Sequence, residues 1–467
     1  MEIVYDGLIY IRGAPEKLCA EIKEALRLPN PLFWKMKKMG KYIGHLSPYI
    51  TYYEEDKSKE VLVIPRGVAE RLERALRSNG FQVTPRDTRS SGPSCRGADS
   101  PWRGRARFDL RDYQDGVIES IVQRDNGIIR CGTGFGKTAI ALKLFQTLEV
   151  ATLIIVPQSH LADQCAAEAE RFLGIEATIV GRKGDKIPGA LSIATIQWLQ
   201  HNPDWVREHR RTFGMVLVDE CHKSVPKKSR DIIQSFASRY LYGMTATARR
   251  TDGQGEALHF IYGDILVDRD LPTATPKVEI VTYEGYIPMG EYPSIIDAQI
   301  EDGLRNARIA SVVTSEVATG RRILVLTKRV SHAEELARLC RGGVGDRADA
   351  VALIRGTDAA KARATELALM RSGVHPFRVL VGTTSLLSTG VDLPSLDTLV
   401  FAGDLKSDVL TEQSVGRILR LFEGKQDPKI LDVVDLGNPI LRHQAKERQK
   451  MYTARNWQMT EYGGDPK

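Results

Sequence analysis

Residues 131–138, Cys-Gly-Thr-Gly-Phe-Gly-Lys-Thr, restrict what this chain can fold into more than any other stretch. They stand between an apolar run, 127–131, and a helical pattern, 139–148. A strand that turns through three glycines into a helix points successive backbone N–H groups and a positive helix end at one anion. A lysine there meets the β/γ-phosphates, and a threonine hydroxyl binds magnesium. The stretch therefore reads as a nucleoside triphosphate cradle. Gly132, Thr133, Gly134, Phe135, Gly136 and Lys137 surround the phosphates, and Thr138 is the first magnesium ligand. The leading position of G-x-x-x-x-G-K-[ST] is Cys131 rather than glycine, while Gly134, Gly136, Lys137 and Thr138 are intact.

Such a turn needs a parallel sheet behind it, and the flanking sequence supplies one. Apolar runs recur at 128–131, 151–156, 191–194, 215–218 and 240–244, each followed by polar or helical sequence. This β-α alternation specifies a doubly wound sheet covered on both faces. A connecting stretch with four prolines follows at 271–301, and the alternation restarts with strands at 323–326, 350–353, 379–381 and 398–401. The expected fold is α/β, with domains at 108–270 and 271–467 preceded by a small α+β domain at 1–84. In that first domain a strand at 3–11, a helix at 16–27, strands at 50–53 and 61–64, and a helix at 68–78 are expected. Residues 85–107, rich in Arg, Ser, Gly and Pro, read as a basic flexible linker that either tracks a phosphate backbone or is simply solvated.

Composition sets broad limits. The 467 residues allow two or three domains, and no apolar run approaches the ~20 residues of a membrane helix. No signal-like leader opens the chain, so a cytoplasmic location is expected, in the host cytoplasm if the source is a phage. Six scattered cysteines without C-x-x-C spacing point to neither zinc nor disulfides. The net charge of +7 is compatible with a polyanionic partner without requiring one. Local clusters are more informative. Lys35, Lys37, Lys38 and Lys41 lie beside Phe33 and Trp34 with no acid between them. This is either a nucleic-acid surface or a solvated basic loop with the two rings packed inward.

The second catalytic element is Val216-Leu217-Val218-Asp219-Glu220-Cys221-His222. An apolar strand ending in Asp-Glu places two carboxylates at the carboxyl edge of the sheet, where the phosphate loop also opens. Asp219 can hold magnesium through its water shell, and Glu220 can orient and deprotonate an attacking water.

With motif I at 131–138 and a D-E-C-H box at 219–222, the chain resembles the superfamily 2 DExH-box helicases over residues 108–455. The resemblance is strongest to the UvsW-like and XPB-like branches, and it implies two tandem RecA-like domains using ATP and magnesium. It also assigns roles. Arg111 and Gln114 of the R-x-Y-Q element would bind nucleotide, with the glutamine reading adenine. Pro157, Gln158, Thr195 and Gln197 would touch the nucleic-acid backbone, with Ser159 as an alternative helix cap. In G-M-T-A-T-A-R-R-T-D-G, residues 243–253, Thr245 and Thr247 together with His222 would couple phosphate state to domain movement, and Arg250 would contact nucleic acid; Ala248 replaces the usual proline. Residues 383–394 look like motif V, with Thr383 on nucleic acid and Gly390 and Asp392 near the nucleotide. Gln413-Ser-Val-Gly-Arg417-Ile-Leu-Arg420 matches Q-x-x-G-R-x-x-R, which makes Gln413, Arg417 and Arg420 catalytic, the arginines sharing one helix face and serving as fingers for the γ-phosphate.

The resemblance implies a monomeric ATP-dependent DNA motor that remodels branched or forked DNA by unwinding, branch migration and fork reversal. The rivals are a restriction-system translocase, an RNA helicase and a non-enzymatic binding module. No role is read for 279–310, and the tail 442–467 either packs on the motor or touches DNA.

Overall fold

Apolar runs of four to six residues, too short for core helices, become the central strands of two parallel sheets. The computed structural model describes residues 1–44, 46–56, 58–82, 84–95, 108–132, 134–182, 187–246, 255–270, 275–355, 358–384, 393–403, 414–415, 418–419 and 424–463. They form two units, Met1–Asp270 and Leu271–Lys467.

The first unit holds a seven-stranded sheet in the spatial order Thr178–Ile179, Leu191–Thr195, Thr152–Val156, Met215–Val218, Tyr240–Thr245, Asn126–Cys131, Ile265–Arg269. Every pairing in it is parallel. Thr152–Val156 and Met215–Val218 are buried along their whole length, as strands covered on both faces must be. The second unit repeats the design with Val351–Ile354, Val379–Thr383, Ile323–Thr327, Thr398–Phe401, Lys429–Asp435, Lys277–Tyr283 and Met459–Glu461. Counted in chain order within each sheet, both read 3-4-2-5-6-1-7. The chain thus contains two tandem doubly wound parallel-sheet domains of one topology.

The 271–301 stretch is more than a connection. It contains the strand Lys277–Tyr283 and the helix Tyr292–Glu301. The buried Glu279 in that strand sits within 3.3 Å of Lys429 and 3.0 Å of Lys277, so its charge is compensated inside the fold. The tail packs on the second sheet, where Arg448 of the helix Pro439–Ala454 donates to Asp432.

The N-terminal part is an α+β layer whose five-stranded sheet runs Glu54–Asp56, Val61–Pro65, Leu8–Arg12, Glu2–Tyr5, Arg86–Asp87. The single strand expected over 3–11 is a hairpin, Glu2–Tyr5 with Leu8–Arg12, because Asp6-Gly7 turns the chain. Its apolar face joins the core of the ATP lobe. Ile3, Ile9, Leu62 and Ile64 belong to one cluster with Ile128, Phe213, Phe260 and Tyr262. The backbones meet as well, since a Cβ on Gly67 would lie 2.5 Å from the Gly263 nitrogen. Arg66, 2% exposed, donates to Asn126 Oδ1 at 2.8 Å and to the carbonyls of Ser238 and Arg239 at 2.6 Å.

The first half of the expected flexible linker is instead fixed. Arg86–Asp87 adds a strand to the N-terminal sheet, Ser90 pairs with Ser238, and Ser94 pairs with Val150. Arg89 bridges Asp87 and Asp125, and Cys95 is buried. Arg89 is spent on ion pairs and a carbonyl rather than solvation, and its partners Asp125 and Arg239 lie too far along the chain for composition to reveal. Residues 96–107 lie outside the described residues.

Candidate active site

The parallel register brings the candidate residues of the first unit to one edge. Val218 stands opposite Ile155 and Gly243, Thr245 opposite Arg130, and Thr195 opposite Val156. The chain leaves all these strands at their carboxyl ends, so the phosphate loop, the Asp-Glu pair, Thr245, Pro157 and Thr195 share the rim where α/β sheets bind ligands.

The loop is shaped by its glycines. Gly134 and Gly136 have φ of 86° and 93°, values that side chains rarely adopt. Gly136 is constrained twice, because a Cβ there would sit 2.6 Å from Gln114 Nε2. That nitrogen donates to the Phe135 carbonyl at 2.6 Å, while Gln114 Oε1 accepts from the Arg111 backbone N–H at 3.0 Å. Gln114 is 2% exposed and braces the loop from beneath. Phe135 is buried edge-on to Tyr113, and the Arg111 guanidinium reaches the Tyr113 hydroxyl at 2.8 Å. Both nucleotide-element residues are therefore adjacent to the loop, although the contact made by Gln114 is with protein. The helix Lys137–Leu148 starts without a side-chain cap, leaving its first N–H groups to an anion. Lys137 and Thr138 lie in its first turn. Cys131 is fully buried on the strand, and burial raises its thiol to about 11, so it is a neutral core residue.

Asp219 and Glu220 are the chemically unusual pair. Asp219 Oδ1 is buried without a hydrogen-bond partner among the described residues, and the buried Glu220 Oε2 faces His222. Burial and the adjacent Glu220 push the Asp219 carboxyl up to about 6 against the pull of Lys137. Burial also opposes ionisation of Glu220, but His222, Lys137 and Lys223 outweigh it and hold that carboxyl down at about 2. Glu220 has φ of 49°, a left-handed conformation that costs a non-glycine residue on the order of 1 kcal/mol or more. His222 Nδ1 lies 3.2 Å from Glu220 Oε2 and 3.1 Å from Thr245 Oγ1, so one ring contacts both a carboxylate and a residue of the neighbouring strand. Lys223, which belongs to no motif, is exposed, and its charge also favours ionisation of both acids.

The nucleic-acid candidates divide. Thr195 caps the helix Ile196–His201, accepting from the Trp198 N–H at 3.2 Å, and Gln197 is exposed on that helix. Pro157 is buried, and Gln158 rather than Ser159 occupies the cap position of the helix Ser159–Leu173, without a side-chain bond. Lys35, Lys37 and Lys38 lie on a helix, Pro31–Lys38, and not in a loop; Asn30 caps it by accepting from the N–H groups of Leu32 and Phe33. Lys41 follows it. All four lysines are exposed, Trp34 is 45% exposed, and Lys37 stands over the Trp34 ring. In the second unit Thr383 is buried at the end of its strand. Thr133, Thr247, Arg250, Gly390, Asp392, Gln413, Arg417 and Arg420 lie outside the described residues. Among their described neighbours, Val415, Ile418 and Leu419 are buried in the core of the second unit.

Comparison with known proteins agrees with this geometry. Residues 107–250 match the family described as type III restriction enzyme, res subunit. The mimivirus protein L396, named as a candidate ATP-dependent RNA helicase, is 23% identical over 385 residues, 78% of this chain and 70% of its own. The ATP-dependent DNA helicase uvsW of Enterobacteria phage T4 is 23% identical over 390 residues, 76% of this chain and 74% of its own. A crystal structure of the DUF1998 helicase MrfA, bound to DNA and AMPPNP, shares the fold with a TM-score of 0.57 at 16% identity, over 77% of this chain and 53% of that one. In its phosphate loop, its Asp-Glu-x-His box and its two sheets of one topology, and through these relatives, the chain is similar to the superfamily 2 helicases.

Proposed function

We propose that the chain is an ATP-driven nucleic-acid motor that remodels branched DNA. The observation that carries the hydrolytic part is the pair of buried carboxylates beside Lys137, in which Asp219 Oδ1 has no hydrogen-bond donor among the described residues. A donor placed by the fold would satisfy that oxygen at little structural cost, so its lack of one favours a site built for cation and water. Asp219 and Thr138 fit a magnesium ion, which when bound neutralises charge on the β- and γ-phosphates. Lys137 and the uncapped helix start hold the phosphates. Glu220 aligns the attacking water. His222, Lys137 and Lys223 keep Glu220 ionised, so it is able to accept a hydrogen bond from that water. His222 joins Glu220 to Thr245 and offers a route by which phosphate loss reaches the neighbouring strand. Arg417 and Arg420 are assigned the γ-phosphate through their motif, with Gln413 beside them, and Gly390 and Asp392 the nucleotide. Thr247 is assigned coupling, and Arg250 and Thr383 are assigned the nucleic-acid backbone.

DNA as the substrate is supported by the name of the T4 relative and by the exposed lysine helix with its aromatic neighbour. Branched DNA is supported by the motif variants shared with UvsW-like enzymes. The test is steady-state ATP turnover of the full chain with single-stranded, duplex, forked and four-way DNA and with RNA. Forked and four-way DNA should stimulate most. Greater stimulation by RNA, or none by any nucleic acid, would overturn the reading. Deleting 1–84 would be a poor test, since it strips side chains from the core of the ATP lobe itself.

A further inference from the structure

The first unit contains a groove of about 1000 Å³ between the N-terminal layer and the ATP lobe, away from the phosphate loop's own lining. Its two walls differ chemically. The N-terminal wall carries Tyr10, Tyr49 and Tyr53, and the lobe wall is the helix Lys227–Ser235. Lys227, Arg230 and Gln234 follow one another at spacings of three and four, which places them on one face of that helix, and all three line the groove.

One of these donors is buried without an acceptor among the described residues, and a second makes no hydrogen bond to them. Arg230 is 8% exposed and its guanidinium stands 4.5 Å over the Tyr52 ring. Its nearest carboxylate oxygen, on Asp231, is 3.9 Å away, beyond hydrogen-bond reach. Gln234 is 6% exposed, and its Nε2 has no acceptor among the described residues. The other charges of the groove are already matched. Lys227 contacts Asp231 at 2.7 Å and Glu54 at 3.6 Å, Arg210 contacts Asp6 at 2.6 Å, and Arg207 contacts Asp204 at 3.0 Å. A buried donor without an acceptor is uncommon in folded proteins, and beside a guanidinium that makes no hydrogen bond to the described residues it marks a place where a ligand supplies one.

The ligand must bring acceptor oxygens for one wall and flat π faces for the other. A nucleic-acid strand with unpaired bases brings both, phosphates to Arg230 and bases to the tyrosines. A duplex hides its base faces, and an extended peptide offers carbonyls without regular π faces. We propose that this groove is a second nucleic-acid site, holding a single strand apart from the rim of the parallel sheet. The proposal rests on the motor reading and deepens it, since a remodeller of branched DNA must hold a strand it has separated.

The test uses the full chain without ATP and a fluorescein-labelled oligothymidylate about 15 nucleotides long. Arg230→Met and Gln234→Leu keep side-chain volume while removing the donors. Each should raise or preserve the melting temperature, and together they should weaken oligonucleotide binding about tenfold or more. Photocrosslinking with 5-iodouracil substituted into the same strand should map to peptides containing Tyr10, Tyr49 or Tyr53. Affinity of the double variant within twofold of the parent, crosslinks confined to other segments, or equal weakening of duplex and single strand would overturn the proposal. Failure of the parent chain to bind any nucleic acid would strike the motor reading itself, which separates the two failures.

Discussion

The two parallel sheets share one strand order, yet their carboxyl edges are finished in opposite ways. In the first, the helix after the opening strand presents Lys137, and Asp219 at the rim keeps an oxygen with no donor among the described residues. In the second, the chain after the opening strand returns a fully buried Arg305, which donates to Asp435 at the end of the sixth strand at 2.6 and 3.1 Å. Gln299 donates to the same carboxylate at 2.5 Å. Close by in the sequence, Asn306 and Thr327 hold the buried His332, whose ring burial and Arg305 keep neutral with a value near 3. In this group of described residues Arg305 Nη1 is left over. Topology therefore does not by itself make an edge catalytic: among the described residues, the acid at the first edge keeps an unmet oxygen, while Asp435 at the second is paired.

Swapping the cation at each edge for methionine should separate these roles most sharply. Lys137→Met should cut ATP turnover about a thousandfold or more and leave the melting temperature within a few degrees. Arg305→Met should strand a buried charge and destabilise the second unit by about 3–5 kcal/mol in denaturant titrations. Adding Asp435→Leu should recover most of that loss, and a double variant as unstable as the single would break the comparison.

A smaller effect is expected from Asp219→Asn. The folded value near 6 lies above the ordinary 3.8, so the native state keeps a proton that the unfolded chain releases. Stability from this group is present at low pH and falls as pH rises from about 4 to 6. Above that range the ionised carboxylate is a net cost to the folded state. The variant should therefore melt higher than the parent at pH 8, with the gap closing near pH 4, while losing magnesium-dependent turnover. A parent that melts higher at both pH values would show the edge to be relaxed. Gln114→Ala should be the mildest change, weakening ATP binding about fivefold through loss of one buried hydrogen bond to the loop. Unchanged affinity by calorimetry would remove Gln114 from the loop's support.

The sequence made the first edge readable because its chemistry is contiguous. Lys137 and Thr138 follow the glycines directly, and Asp219 and Glu220 follow their strand directly. The second edge was unreadable for the opposite reason, since Arg305 and Asp435 meet only through the sheet and no spacing announces them. The strand Lys277–Tyr283 alternates polar and apolar residues among prolines, and its partner Lys429–Asp435 lies some 150 residues on. Basic composition also misled where pairing decided: residues 85–95 looked solvated, yet Ser90, Ser94 and Arg89 find partners on the ATP lobe. The Pro31–Lys38 helix was legible in hindsight from Asn30 and Pro31, a cap followed by a first-turn proline.

On the proposed function, Asp219 and Glu220 at the first edge carry ATP hydrolysis. Single-turnover hydrolysis of the full chain carrying Glu220→Gln, with saturating ATP, magnesium and forked DNA, tests it most directly. The account predicts ATP affinity close to the parent and a hydrolysis rate lower by about a hundredfold or more. A rate within twofold of the parent would contradict it.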